Sequence, residues 1–128
     1  MAQGDYSHAE GYINIAVGTA SHAEGNSAHA IGNYSHAEGN LTNAEKESAH
    51  AEGNKTEAKG KYSHAEGQST IARGDASHSE GDTSEAVGKS SHAEGGPDGI
   101  EHTVAKGDYS HAEGQATTAE GVASHSEG

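Results

Sequence analysis

The residues best able to do chemistry in this chain belong to one short motif, Ser-His-Ala-Glu-Gly, which first appears at Ser7 to Gly11 and returns along the whole sequence. Serine is a possible nucleophile, histidine a general base or metal ligand, and glutamate a base or a ligand. The motif and its close variants place histidine and glutamate two residues apart in nine pairs: His8/Glu10, His22/Glu24, His36/Glu38, His50/Glu52, His64/Glu66, His78/Glu80, His92/Glu94, His111/Glu113 and His125/Glu127.

The order Ser, His, Glu matches the members of a hydrolase triad, but the spacing does not suit catalysis. Ser7 and His8 are neighbours in the chain, and neighbouring side chains of a β-strand point to opposite faces. Nine copies of one active site on a chain of 128 residues also make little catalytic sense. We therefore expect no enzyme activity, no catalytic residues and no cofactor.

The composition excludes several classes of partner. With 20 acidic and 7 basic side chains and a net charge of -13, the chain lacks the clustered Lys and Arg that bind nucleic acid or an anionic membrane. It has no cysteine, which excludes disulfides, thiolate metal sites and thiol catalysis. It shows neither an apolar run of transmembrane length nor a signal segment, so we expect any export signal or anchor to lie outside this sequence.

Low hydrophobicity would normally indicate disorder, but the strict repeat indicates an ordered structure. From Asp5 the chain divides into 17 rows of seven residues, of which 16 end in Gly; the exception ends in Lys46, and five extra residues enter at 96–100. A row with the His/Glu motif alternates with a variable row, so two rows make a coil of 14 residues. We number the positions of a row from one to seven, with the closing Gly at seven.

Within each row, positions three and five are small and positions four and six carry the larger or charged groups. Alternation at period two predicts a short β-strand with one small face and one bulky face. The closing Gly supplies the positive φ of a tight corner. The corner glycines of the motif rows are Gly11, Gly25, Gly39, Gly53, Gly67, Gly81, Gly95 and Gly114.

Two strands per coil, joined by two-residue corners, predict an all-β, flattened parallel solenoid in which like rows stack. Nine coils spaced about 4.8 Å apart would form a rod of about 43 Å. Ser and Ala would fill the narrow interior while the bulky positions point outward. One chain would then have almost no core, so we expect neighbouring copies to supply the missing burial.

The chain resembles the head repeats of YadA-like trimeric autotransporter adhesins, whose rows follow a Ser-x-Ala-x-Gly pattern with the same 14-residue coil. Ser7 to Gly11 and Asn14 to Gly18 match that pattern, and the match covers residues 5–128. The resemblance implies a left-handed parallel β-roll, a homotrimer around one axis and an adhesin on the bacterial surface. Similar repeats also occur in phage tail fibres. In the family the rows that face the axis are usually apolar, whereas the regular row here carries His and Glu.

The position of the irregular residues favours placing the His/Glu rows at the trimer axis. Lys46 lies in a variable row and the extra residues precede another, and insertions are tolerated where the chain meets solvent. The nine pairs would then form an interchain polar ladder. The competing arrangement, closer to the family pattern, puts the more apolar variable rows at the axis: Ile15/Val17, His29/Ile31 and Glu85/Val87.

In the ladder, histidine is expected to donate hydrogen bonds to glutamate of its own or a neighbouring chain. Such pairing should raise the folded-state pKa of the histidines, so that stability would be lost as the pH rises, and lowered glutamate pKa values should remove stability at acid pH. Histidines on a threefold axis could instead bind Zn or Ni. Because every His has a Glu beside it, we expect hydrogen bonding rather than a metal site.

The sequence as a whole predicts one repeat domain, residues 1–128, with an insertion at 96–100, that serves as a rigid, non-enzymatic trimeric head or stalk of a surface adhesin. Host matrix or cell-surface molecules are the expected partners, without nucleic acid or direct membrane contact. Two alternatives remain open. One is a purely structural module of a phage tail fibre, which would place the chain in a virion, and the other is metal binding by axial histidines.

Overall fold

The computed structural model describes every residue from Met1 to Gly128 and consists of β-strands and turns without a helix. Parallel strands stack as a solenoid of about nine turns, which confirms the predicted all-β parallel solenoid and its 14-residue coil. The strands are β1 His8–Tyr12, β2 Ile15–Ala16, β3 His22–Asn26, β4 His29–Ala30, β5 His36–Asn40, β6 Asn43–Ala44, β7 His50–Asn54, β8 Glu57–Ala58, β9 His64–Gln68, β10 Ile71–Ala72, β11 His78–Gly81, β12 Glu85–Ala86, β13 His92–Gly96, β14 Val104–Ala105, β15 His111–Gln115, β16 Thr118–Ala119 and β17 His125–Glu127.

The two row types form two separate sheets. The odd-numbered strands, which carry the His/Glu motif, make a nine-stranded sheet, and the even-numbered strands of the variable rows make an eight-stranded sheet. The register places like residues side by side, so that His8 pairs with His22 and Glu10 with Glu24. As a result, each side chain of the motif lies directly beside the same side chain of the next coil.

The side chains that fill the interior between the two sheets are small, as the period-two pattern predicts. Apart from Val104, every buried hydrophobic residue is alanine, and the buried polar residues are Ser, Thr and one Asn. Most position-three serines of the motif rows satisfy their hydroxyls locally: the Ser21 hydroxyl donates to the Gly18 carbonyl at 2.7 Å, and Ser91 donates to Gly88 at the same distance. The Ser77 hydroxyl is buried without such a partner. Two sheets this close together leave no room for larger side chains.

Glycine has a different role at the two kinds of corner. The corner glycines of the motif rows have φ between 98° and 134°, which confirms their prediction as positive-φ residues. The glycines that close the variable rows, such as Gly74, do not have a positive φ. There a Cβ would lie 2.0 Å from the Gly88 carbonyl oxygen of the next coil, so the absence of a side chain, rather than the backbone conformation, is what the site requires.

The left-handed conformation also occurs at position two of the rows, which the sequence pattern did not reveal. Residues of many types adopt a φ of 52–59° there. From Ala20 onward the backbone N–H of each of these residues donates across to the previous coil, as Tyr34 does to the Thr19 carbonyl at 2.8 Å. These residues are Tyr6, Ile13, Ala20, Ser27, Tyr34, Leu41, Ser48, Lys55, Tyr62, Ser69, Ala76, Thr83, Ser90, Tyr109, Ala116 and Ala123.

The extra residues leave the solenoid without disturbing its register. Gly96 is still part of β13 and pairs with Gln115, and the chain departs after it. Asp98 and Glu101 form an isolated antiparallel bridge at the base of the excursion, whose Ile100 is exposed. The next coil resumes in phase, with His92 beside His111.

We predict that Gly67→Ala will destabilise the fold much more than Gly96→Ala. Gly67 has a φ of 103° and its Cβ would lie 2.1 Å from the Gly81 carbonyl oxygen, whereas the nearest atom to a Cβ on Gly96 is 3.9 Å away. The backbone conformation alone should cost Gly67→Ala about 1–3 kcal/mol. Thermal unfolding followed by circular dichroism measures the difference, and equal melting temperatures would contradict this account of the corners.

Candidate functional site

The candidate site is the outer surface of the nine-stranded sheet, formed by the histidines at position four and the glutamates at position six, which we call the His/Glu face. The histidines stack in a continuous column. From His22 to His125 the ring centroids of neighbours lie 4.6–4.9 Å apart with interplanar angles of 1–16°. His8 is tilted by 59° against His22 at the first coil. The spacing between neighbouring strands is therefore also the distance at which the histidine rings stack.

The partner of each imidazole changes along the solenoid. In the first four coils Nε2 lies 3.3–3.5 Å from the glutamate of its own coil, as for His22 and Glu24 at 3.3 Å. His78 instead lies nearest to Glu66 of the preceding coil, at 3.8 Å. At His92 and His111 the nitrogen lies between two carboxylates, one from its own coil and one from the coil before.

Few of these contacts are hydrogen bonds. Only His8 Nε2 and Glu10 Oε2, at 3.3 Å, have hydrogen-bond geometry. The other imidazoles are 35–40% exposed as side chains from His22 to His111, yet their Nε2 atoms are buried and have no hydrogen-bond partner in the chain. The predicted hydrogen bond to glutamate of the same chain is thus seen only in the first coil, and bonds to a neighbouring chain stay a prediction.

The electrostatics of the column differ from the expected ones. Burial lowers the pKa of His36 and His64, and their stacked neighbours, His50 in both cases, lower it further. The nearby glutamates act in the opposite direction but more weakly. The prediction that pairing with Glu raises the histidine pKa is therefore wrong for these two residues, because burial disfavours the charged imidazole and stacking places cation beside cation.

The glutamate column is also coupled along the solenoid. Hydrogen bonding between carboxyl groups of neighbouring coils raises the pKa of Glu80 and lowers the pKa of Glu66 and Glu94. The lowered pKa values of Glu66 and Glu94 agree with the predicted direction, but the first cause is the neighbouring carboxyl group rather than histidine. Carboxylates stacked in register disfavour each other's ionised form.

Shallow grooves run beside this column in the C-terminal half. One of about 600 Å³ is lined by Glu94, Glu113 and Glu127 together with two glycines, and another of about 360 Å³ by Glu80, Glu94 and three glycines. Their walls carry carboxylates and bare backbone without a basic or apolar side chain. Four groups of two histidines and one glutamate, including His92, Glu94 and His111, bring potential metal-ligating atoms within 4.8 Å of one another.

The opposite sheet presents a surface of mixed charge. Lys59 pairs with Glu57 in the same row, and Arg73 pairs with Glu85 in the following coil. Lys106 Nζ lies 3.1 Å from Glu120 Oε1 one coil away. These pairs neutralise one another locally, as is usual for a surface in contact with water.

The serines and tyrosines of the motif rows lie away from the His/Glu face or at its edge. Ser21 is buried inside the coil while His22 points outward, as strand geometry predicts, so the hydroxyl and imidazole are on opposite sides of the strand. The tyrosines of position two occupy corners. Tyr6 is 92% exposed, and Tyr34, Tyr62 and Tyr109 are also exposed.

Comparisons with known proteins do not place the chain in a family. No model of a known protein family matches it, and no curated protein matches it significantly. The structure contains no helix long and apolar enough to span a membrane. Function therefore has to be inferred from the geometry of the chain itself.

We predict that acidification destabilises the fold through His36 and His64. Since their pKa lies below the ordinary value of 6.5 in the folded chain, the unfolded chain binds more protons. Their contribution to stability is complete above that ordinary value and is lost as the pH falls through the folded-state pKa. The melting temperature should drop between about pH 7 and about pH 5.

The variant His64→Gln should flatten this pH dependence by removing one titrating group. His29→Gln makes the same change on the opposite sheet and serves as the matched control. If His29→Gln flattens the pH dependence of the melting temperature as much as His64→Gln does, the histidine stack is not the cause of that dependence.

Proposed function

We propose that this chain is a rigid, non-enzymatic segment of a homotrimeric fibre, the head or stalk of a bacterial surface adhesin. The observation that carries the proposal is the His/Glu face, a regular column of half-exposed rings whose Nε2 atoms have no partner within the chain. Buried nitrogen atoms without hydrogen bonds cost free energy unless a further group satisfies them. Because the Nε2 atoms have almost no accessible surface in the single chain, a second and third copy around one axis would supply that group after the half-exposed imidazoles turn toward it.

The case for partners depends on the chemistry of the surface rather than on its size. The chain exposes 6172 Å², close to the roughly 6300 Å² expected for a compact protein of its mass. Its interior, however, is made of Ala, Ser and Thr, each of which buries little apolar area. A solenoid with so small a core is stabilised when one of its sheets is covered by other copies.

The same comparison of faces supports the orientation. Charges on the opposite sheet neutralise one another in pairs, as for Lys106 and Glu120, and that sheet therefore suits contact with water. The excursion after Gly96 lies next to a variable row and would have free space on the outside of a trimer. A left-handed coil with the His/Glu rows at the axis completes the arrangement that the repeat pattern implies.

An adhesive role follows from the regularity of the outer surface. Repeated variable rows and exposed corner tyrosines would be displayed three times around the rod and again along it. Linked copies of a weak binding surface reach high overall avidity without new contacts. The location we propose is extracellular, at the bacterial surface, with host matrix or cell-surface molecules as partners.

We predict that the isolated chain is a trimer in solution and that His50→Arg dissociates it. Arginine at the axis would bring three fixed cations together, whereas His29→Arg makes the same change at position four of the opposite sheet. Analytical ultracentrifugation should give three chain masses for the natural sequence and for His29→Arg, and a lower mass for His50→Arg. A well-ordered monomer would overturn the trimer, and dissociation by His29→Arg alone would reverse the orientation.

A binding assay separates adhesion from a purely structural role. Saturable binding of the natural trimer to immobilised matrix proteins or host cells supports the adhesin. The same trimer without any such binding would overturn the adhesin and favour a structural shaft, as in a tail fibre.

A further inference from the structure

The groups around His92 and His111 differ from the rest of the His/Glu face. His92 Nε2 lies 3.4 Å from Glu80 Oε1 and 3.8 Å from Glu94 Oε2. His111 Nε2 lies 3.7 Å from Glu94 Oε1 and 3.8 Å from Glu113 Oε2. Each nitrogen is thus flanked by two carboxylate oxygens, is itself buried, and makes no hydrogen bond.

These separations are long for hydrogen bonds and suitable for ligands of one metal ion. Hydrogen bonds between nitrogen and oxygen are shortest and strongest near 2.9 Å. Two ligands at about 2.0–2.1 Å from a tetrahedral zinc ion lie about 3.4 Å from each other. One imidazole nitrogen and two carboxylate oxygens are donors that zinc accepts, whereas calcium requires six to eight oxygens.

We propose that His92 with Glu80 and Glu94, and His111 with Glu94 and Glu113, form two adjacent binding sites for divalent zinc-class metal ions. Each site has three protein ligands, and Glu94 bridges the two through its separate carboxylate oxygens. A water molecule would complete the tetrahedron as the fourth ligand.

The stacked histidines explain why each site takes one imidazole rather than two. The ring centroids of His92 and His111 are 4.8 Å apart in planes inclined by 2°. Two nitrogens bonded to one zinc ion cannot be more than about 4.2 Å apart, which is twice the zinc to nitrogen bond length. Parallel stacking therefore separates the imidazoles into neighbouring sites, and the carboxylate between them joins the sites.

The N-terminal coils provide an internal control. His36 Nε2 approaches the carboxylate of Glu38 in its own coil, at 3.5 Å, and His22 approaches Glu24 in the same way, at 3.3 Å. These nitrogens have one glutamate ligand within reach rather than two. One chain thus contains copies of the motif in which two carboxylates flank the histidine nitrogen and copies in which one carboxylate does.

The test is a titration of the metal-stripped full chain with zinc chloride in competition with a chromophoric chelator. We expect two tight sites per chain. Glu94→Gln, which removes the shared ligand, should weaken both sites by at least about tenfold, the size of change that even an outer-shell substitution produces. Glu38→Gln should leave both intact. X-ray absorption at the zinc edge should show nitrogen and oxygen ligands alone at about 2.0–2.1 Å.

Equal zinc binding by Glu94→Gln and Glu38→Gln, or the absence of saturable uptake, would overturn the proposal. If Glu94→Gln fails to fold, as judged by circular dichroism, His111→Gln replaces it and should remove one of the two sites; retention of both would again overturn the proposal. The oligomeric mass is measured on the same samples. Zinc bound to a monomer would support the metal sites and contradict the trimer. A trimer that takes up no zinc would support the trimer and contradict the metal sites.

Discussion

The structure depends on one constraint, the close parallel stacking of identical coils in register. Neighbouring coils lie less than 5 Å apart over most of the solenoid, as the spacing of the histidine rings shows. At that distance each residue contacts the residue at the same position of the next coil, and no insertion of bulk between coils is possible. The glycines that would place a Cβ about 2 Å from a carbonyl of the next coil are the direct result.

Stacking like on like has opposite consequences for different side chains. Amides form a favourable chain, since Asn26 donates to Asn40 at 2.9 Å and Asn40 donates to Asn54 at 2.7 Å. Neutral imidazoles also stack well, but burial disfavours their charged form and each added proton repels its neighbours, and both effects lower the pKa of His64. Neighbouring carboxylates disfavour each other's ionised form. The His/Glu face therefore places side by side two columns in which like charges repel along the solenoid.

Much of this fold could be predicted from the sequence because, in a strict repeat, the conformation of one row determines the conformation of the whole chain. The period-two pattern of Ser7 to Gly11 identified the strand, its small inner face and the corner at Gly11. The left-handed conformation of Tyr6 and its equivalents could not be predicted, because residues of many types occupy that position and no composition signal marks it. The pKa direction at His36 was also missed. It depends first on how deeply the folded chain buries the imidazole and then on the stacked histidines, and pairing with glutamate along the strand is a weaker influence than either.

The contrast between the two sheets indicates where the function of the regular motif lies. Both sheets have the same parallel register and coil spacing, so the backbone places the same demands on each. On the variable sheet, Ile71 stacks between Glu57 and Glu85, and the fold accepts the change at every coil. The strict repetition of His and Glu on the other sheet is thus not needed to form a solenoid. In the proposed trimer and in the proposed metal sites, the partner of that face repeats with the coil in the same way, which is the physical argument for assigning recognition to it.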